Sequence, residues 1–114
     1  MKKILFEKTI KELQGRKLIE ETRNERVKLT DKFIESFINN AIDFFRLAPD
    51  EIRARHSVEE CIDSILIMTI VKSGRTGKRK LYQLFIVLKP LLIASCPKLE
   101  NMSFEELEKE VPFN

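Results

Sequence analysis

The chain has 114 residues, of which 43% are hydrophobic and 34% charged. This composition predicts one folded domain with its own core and excludes a second domain, a disordered chain and a collagen-like sequence. The longest apolar stretch, 81–94, is interrupted by Lys89 and Pro90 and is too short for a membrane span. With no visible secretory leader and two cysteines outside any CxxC pair, we expect a cytoplasmic protein without structural disulfides.

The net charge of +3 conceals four segments of alternating sign. Residues 1–32 carry +4 and residues 33–71 carry −4. Residues 72–99 carry +7 with no acidic side chain, and residues 100–114 carry −4. This asymmetry indicates a polyanionic partner for the basic segments, although a solvated surface with internal charge pairing would give the same pattern.

The first third of the chain predicts a helix followed by a hairpin. Apolar residues recur at helical spacing over 3–14, and Gly15 is placed to end that helix. Two short strands, 17–21 and 26–29, flank a polar turn in which Asn24 tolerates left-handed backbone.

The middle of the chain contains the clearest helical pattern. Apolar residues repeat every three or four positions over 32–47, with Thr30 or Asp31 as the cap and Pro49 as the end. Pro49 then suits the first turn of a short helix over 49–55.

Two strongly apolar helices are predicted next. Ser57 to Glu60 matches a capping box that opens a helix over 58–72. A loop containing two glycines leads to a helix over 78–94, which Pro90 should kink. A second capping-box pattern at Ser103 opens a short acidic last helix.

Together these elements predict a mainly α fold, a compact single-domain bundle of about five helices with a small N-terminal β-hairpin. It divides into a helix and hairpin unit (1–31), a helical core (32–99) and an acidic C-terminal segment (100–114). Burying nearly all of the apolar surface of the two later helices is demanding for 114 residues. We therefore expect a homo-oligomer or a partner protein.

One stretch resembles the second half of a winged-helix domain of MarR-like and PadR-like regulators. It runs through Gln14-Gly15-Arg16-Lys17-Leu18-Ile19-Glu20-Glu21, a polar turn, and Arg26-Val27-Lys28-Leu29-Thr30-Asp31. In those families a recognition helix enters "L-x-x-x-G-L-I-x" on the first wing strand, and the second strand ends in "L-T-x-x-G" before a long helix. Leu13, Leu18-Ile19 and Leu29-Thr30 match, and Phe33 replaces the second glycine.

The resemblance covers residues 3–45 and lacks the two helices that precede a recognition helix. It implies that Lys8 and Lys11 face the major groove of DNA. It also implies that Arg23 and Arg26, on the wing, meet the adjacent backbone or minor groove. An amphipathic helix with solvated lysines, followed by an ordinary hairpin, would use the same residues.

The most unusual local sequence is the basic loop, residues 73–80. Lys78, Arg79 and Lys80 fall in a first helical turn, where the helix dipole disfavours cations. A phosphate bound by these side chains, by Arg75 and by the amides of Thr76 and Gly77 would compensate.

The basic loop has two other interpretations. A nucleotide-binding P-loop is excluded, because two residues instead of four separate Gly74 from Gly77 and Arg79 follows Lys78. A solvated turn that pairs with the acidic C-terminal segment remains an alternative. The glutamates of that segment are Glu105, Glu106, Glu108 and Glu110.

The residues that enzymes need are sparse, so we expect no catalytic activity. His56 is the single histidine, and Cys61 falls on the apolar side of a predicted helix. A zinc site built from His56, Cys61 and Cys96 lacks a fourth ligand and a recognised spacing. We predict neither a cofactor nor a metal.

The favoured function is a small non-enzymatic nucleic-acid-binding protein, acting on duplex DNA through phosphate contacts in transcription or replication. The alternative is an accessory protein-interaction subunit of a larger nucleic-acid-processing complex. The predicted contact residues are Arg75, Lys78, Arg79 and Lys80, with Lys8, Lys11, Arg23 and Arg26 as a second surface.

Overall fold

The computed structural model of the chain describes residues 2–24, 26–47, 57–97 and 99. Within these ranges it has four helices and two strands. This confirms the predicted mainly helical fold with a small hairpin. The sequence predicts about five helices, and the described residues contain four. The elements are α1 (Lys2–Gly15), β1 (Ile19–Glu21), β2 (Val27–Leu29), α2 (Asp31–Leu47), α3 (Val58–Ser73) and α4 (Lys78–Ser95). The predicted helix over 49–55 and the acidic last helix lie outside the described residues.

The junction between α1 and β1 is a tight turn. Gly15 ends α1 as predicted, and the Leu18 amide donates back to the Leu13 carbonyl at 3.0 Å. Lys17 has φ 62°, which makes it the one residue other than glycine with positive φ in the described part of the chain. Asn24 in the hairpin turn, a residue type that tolerates left-handed backbone, does not adopt positive φ. Because Lys17 is not extended, β1 begins at Ile19 and not at residue 17.

Thr30 joins the hairpin to α2. The two strands pair antiparallel, with Ile19 opposite Leu29, and the Thr30 amide donates to the Leu18 carbonyl just beyond that pair. The Thr30 hydroxyl accepts from the Phe33 amide at 3.1 Å, which makes it the cap of α2. It also donates to the carbonyl of Lys17 at 2.6 Å. Of the two predicted caps, Thr30 therefore satisfies the helix start.

The core draws side chains from every element. α2 packs against α3, α3 packs against α4, and α4 also contacts α1 and β2. Phe33 and Phe37 are stacked within α2, with ring centroids 6.2 Å apart. The largest fully buried side chains are Leu13, Leu18, Phe33, Phe37, Ile65, Leu66, Ile70, Leu84, Leu88, Leu92 and Leu99.

The start of α3 follows the predicted capping box. The Glu60 amide donates to the Ser57 hydroxyl at 3.2 Å, and that hydroxyl lies 3.4 Å from the Glu60 carboxylate. Two acids in the first turn and Lys72 in the last turn oppose the helix dipole favourably. Because one side of α3 is deeply buried, this cap anchors the central helix of the core.

A polar chain crosses the buried interface between α2 and α3. The Asn40 amide nitrogen donates to the Thr69 hydroxyl at 3.0 Å, and Thr69 donates to the Ile65 carbonyl at 2.8 Å. Lys72 donates to the Asn40 amide oxygen at 2.9 Å. These hydrogen bonds offset the cost of burying Asn40 and Thr69 among apolar side chains.

The two later helices are not buried as completely as the sequence predicts. Ile67 and Val71 on α3, with Tyr82 and Ile86 on α4, are exposed, and Tyr82 retains 67% of its accessible surface. A helix that is apolar nearly all round has more apolar surface than its neighbours cover. In the described part of the chain, the outer sides of α3 and α4 therefore form an open apolar surface.

Candidate nucleic-acid interface

The basic loop connects α3 to α4 and forms the beginning of α4. Gly77 is the N-cap, with extended backbone at φ −72° and ψ 163°, and no side chain caps the helix there. The first turn contains no acid. The amides and positive dipole of this helix start are therefore combined with basic side chains, as the sequence predicts.

Arg16 holds the basic loop from its inner side. Its Nη1 lies 2.8 Å from the Thr76 hydroxyl, 3.1 Å from the Ser73 hydroxyl and 3.3 Å from the Ile70 carbonyl oxygen. Its Nη2 donates to the carbonyl of Arg75 at 2.9 Å. The Arg16 side chain is only 9% exposed. Its nearly buried guanidinium lies just after α1 and holds both the end of α3 and the basic loop.

Hydrogen bonds within the loop reinforce the same conformation. The Ser73 hydroxyl donates to the Ile70 carbonyl at 2.6 Å, and the Thr76 hydroxyl donates to the Gly74 carbonyl at 2.8 Å. Gly74 lies against the Arg16 guanidinium. A Cβ at this position would stand 3.6 Å from Arg16 Cζ. The loop thus has a defined path before any ligand binds.

Glu12 neutralises one of the predicted contact residues. Its Oε1 lies 3.0 Å from Lys80 Nζ and 3.1 Å from Arg16 Nη2. The hydrogen bond from Lys80, followed by that from Arg16, holds the pKa of Glu12 below its ordinary value. Lys80 therefore joins α4 to α1 and offers less charge to a ligand than its neighbours.

The other three predicted loop residues face solvent. The side chains of Arg75, Lys78 and Arg79 are exposed, and none forms an ion pair with a described residue. Two of them stand in the first turn of α4 and one lies within the loop that Arg16 holds. The structure therefore places on one ordered segment three cations that have no ion pair within the described part of the chain.

The second predicted surface divides into two parts. Lys8 and Lys11 are exposed on α1, and Lys8 lies one turn before Glu12, on the side of α1 that reaches Lys80. Arg23 and Arg26 are exposed in the hairpin turn, beyond the last pair of β1 and β2. α1 thus adjoins the basic loop, whereas the two arginines lie at the other end of the strands.

Sequence reasoning missed the residues that shape the loop. Glu12 and Arg16 are four positions apart on α1, a spacing that signals an intrahelical ion pair. Their contacts with Ser73, Thr76 and Lys80 join segments more than 55 positions apart. A single sequence contains no signal for such a pairing.

No second chemistry competes with this loop in the described ranges. Cys61 and Cys96 are buried thiols, and burial, with the nearby Glu60 charge, raises the pKa of Cys61. Among the described residues no group of three histidine, cysteine or acidic side chains is placed to hold a metal ion. None of the described helices combines the length and apolarity required to cross a membrane. His56 lies outside the described residues.

Comparison with known proteins gives no match. No family model fits the chain, and no curated protein or solved structure matches it. The similarity to half of a winged-helix domain therefore stays a prediction.

Proposed function

We propose that this protein binds nucleic acid, specifically duplex DNA, through phosphate contacts made by the basic loop. The observation that carries the proposal is the position of Arg16. It holds the loop through the Arg75 carbonyl and the hydroxyls of Ser73 and Thr76. The side chains of Arg75, Lys78 and Arg79 are left exposed.

Ordering of the loop favours binding for an entropic reason. A flexible loop loses conformational freedom when it binds a ligand, and that loss subtracts from affinity. Here Arg16 already orders the loop. The exposed cations therefore bind phosphate at a smaller entropic cost. The uncapped start of α4 adds amide donors and a positive dipole to the same place.

Two further features support a DNA contact that includes α1. Lys8 and Lys11 extend the positive surface from the basic loop along the exposed side of α1. The winged-helix pattern also has a glycine where this chain has Lys17, the residue with left-handed backbone. Left-handed backbone at Lys17 is a conformation that glycine adopts readily, so it is compatible with that position of the pattern. Arg23 and Arg26 form a second contact in this proposal.

The test is anisotropy of labelled random duplex DNA over a range of salt concentrations. The variant Lys78→Gln/Arg79→Gln removes two exposed loop charges, and Lys28→Gln/Lys32→Gln is its control, with the same change in net charge elsewhere. We expect the slope of log affinity against log salt to fall by about 2 in the loop variant. Equal slopes in the two variants would rule out the loop as the binding site.

Glu12→Gln provides a variant with the opposite expected effect. It removes the acid that pairs with Lys80, so it should strengthen DNA binding and steepen the salt dependence by about one phosphate equivalent. Glu35→Gln, at an exposed position on α2, is the matched control. Weaker binding by Glu12→Gln would contradict a direct electrostatic contact in this region.

A second candidate is an accessory subunit of a nucleic-acid-processing complex. The exposed apolar side chains of Val71, Tyr82 and Ile86 favour it, since contiguous apolar surface often marks a protein contact. This candidate predicts only weak DNA binding by the isolated chain. Salt-sensitive binding by the isolated chain at micromolar concentration would contradict it.

A further inference from the structure

An apolar surface is open to solvent where α3 and α4 lie side by side. Two adjoining depressions share Tyr82 and Phe85, and one of them also reaches Ile67 of α3. We call this surface the outer face and define it by Ile67, Leu81, Tyr82, Phe85 and Ile86. Tyr82 and Ile86, near its centre, are both exposed. Exposed apolar side chains grouped in this way mark a contact with another protein surface.

The end of the outer face at the start of α4 is cationic. Lys78 lines the depression that also contains Ile67 and Tyr82. It is exposed and forms no ion pair with a described residue. Arg79, the next residue of α4, is exposed as well. This end therefore presents a positive charge that an acidic group on another surface can approach.

The opposite end of the outer face is acidic. Lys89 lines the second depression, and its Nζ lies 2.8 Å from Asp63 and 3.2 Å from Glu59, both on α3. Two carboxylates share this one ammonium group, which leaves a net charge of −1. The Glu59 side chain is 77% exposed, so its charge is accessible from outside.

This distribution of charge is complementary to itself. Eleven positions separate Lys78 from Lys89, so the two ends lie about 16 Å apart along α4, with Tyr82 and Ile86 between them. A two-fold axis that lies in the contact plane and crosses α4 at a right angle reverses the helix direction in a second copy. It brings the cationic end of each copy to the acidic end of the other. Copies with parallel helices would instead bring the two cationic ends together, which is unfavourable.

The size of the outer face limits the strength of such a contact. The 18 residues of α4 span about 27 Å, and two adjacent helices are about 20 Å wide. The face therefore covers about 500 Å² on each copy, or about 1,000 Å² in a pair, which is at the lower limit for a specific interface. A contact of this size forms a reversible dimer.

We propose that the outer face binds a second copy of this chain in an antiparallel, two-fold dimer. Tyr82 and Ile86 of the two copies pack together at the centre. Lys78 of each copy lies beside Glu59 of the other, next to the pair that Glu59 forms with Lys89. Glu59 and DNA phosphate therefore compete for Lys78, whereas Arg75 and Arg79 remain available to phosphate in the dimer.

Sedimentation equilibrium of the full-length chain without DNA tests the proposal. We expect a monomer–dimer equilibrium with a dissociation constant of about 10 to 100 µM. Ile86→Asp places two carboxylates at the centre of the contact and should weaken the dimer at least about tenfold. Ile42→Asp is the control and should leave the dimer unchanged, because Ile42 is 42% exposed on α2 and does not line the outer face.

Mixing two charge-reversal variants tests the antiparallel orientation. Glu59→Lys and Lys78→Glu each place like charges opposite one another in both contacts of the dimer, so each variant alone should dimerise about tenfold more weakly. In an equimolar mixture each contact again joins a lysine to a glutamate, so a heterodimer should form with about the affinity of the wild type. Glu35→Lys, at an exposed position on α2, is the control and should not restore dimerisation when mixed with Lys78→Glu.

Three results would overturn the proposal. A monomer at about 1 mM wild-type protein would assign the outer face to another occupant, such as a different protein. A dimer that Ile86→Asp leaves intact would place the contact elsewhere. A mixture of Glu59→Lys and Lys78→Glu that dimerises no better than its components would exclude the orientation, and this test remains decisive if Ile86→Asp fails to fold. None of these measurements involves DNA, so their failure is distinguishable from failure of the proposed function.

Discussion

Arg16 Nη1 lies 2.8 Å from the hydroxyl of Thr76, which joins two residues 60 positions apart in the sequence. The same guanidinium reaches Glu12 on its own helix and the Arg75 carbonyl in the basic loop. A planar group with several donors can satisfy these acceptors at once, whereas an ammonium cannot present the same fork. The geometry of the loop therefore depends on arginine at this position.

Arg16→Lys tests that dependence at constant charge. It should lower the free energy of unfolding by about 2 kcal/mol, because several charge-assisted hydrogen bonds lose their donor in a nearly buried site. Urea denaturation followed by circular dichroism gives the value. Arg75→Lys, at an exposed side chain, should stay within about 0.5 kcal/mol of the wild type. Similar values for the two variants would contradict the role of Arg16.

Thr30→Val should destabilise the fold by about 1 to 2 kcal/mol. The substitution removes the hydroxyl that caps α2 through the Phe33 amide and that donates to the Lys17 carbonyl. Thr30→Ser keeps the hydroxyl and should recover most of the loss. The comparison is made by thermal unfolding, and a serine variant as unstable as the valine variant would show that the methyl group matters instead.

Lys17→Gly should stabilise the protein by about 1 kcal/mol. Left-handed backbone is costly for a residue with a Cβ and costs glycine little, and Lys17 has φ 62°. Lys17→Ala removes the same charged side chain but keeps the Cβ, so it should give no such gain. Chemical denaturation of both variants separates backbone strain from charge, and equal gains would contradict the strain.

Glu12 should make the free energy of unfolding depend on pH in the acidic range. Its pKa is lowered in the folded state by Lys80 and Arg16, so its contribution to stability is fully present at pH values above the ordinary pKa of 4.5. The contribution is lost as the pH falls through the lowered pKa. The stability difference between the wild type and Glu12→Gln should therefore shrink on acidification. A difference that is constant from neutral pH to well below that pKa would exclude the linkage.

Local structure was largely predictable, because it depends on residues that are close in sequence. Gly15 ends α1, and the capping box at Ser57 starts α3, as their patterns predict. Propensity favours asparagine and glycine at left-handed positions, so it gives no reason to expect such a position at Lys17. At Lys17 the Thr30 hydroxyl and the turn from α1 into β1 override that preference.

The candidate site was predictable in composition but not in arrangement. A run of cations at the start of α4 is visible in the sequence, and exposure of Arg75, Lys78 and Arg79 agrees with it. The pairing of Lys80 with Glu12 is a tertiary contact that no local pattern encodes. The sequence also does not predict the open side of α4. The apolar residues of a helix give the amount of its apolar surface, but they do not tell which side the neighbouring helices cover.

The contacts between Arg16 and residues 73–76 also make the conformation of the basic loop depend on the docking of α1. Contacts that span 54 to 60 positions exist only while α1 is docked, so fraying of α1 would release the loop even if α3 and α4 remained intact. A fusion partner or tag attached at the N-terminus thus acts on the loop at a distance, by shifting the docking equilibrium of one helix. Conversely, a ligand that fixes the loop protects the first helix from hydrogen exchange.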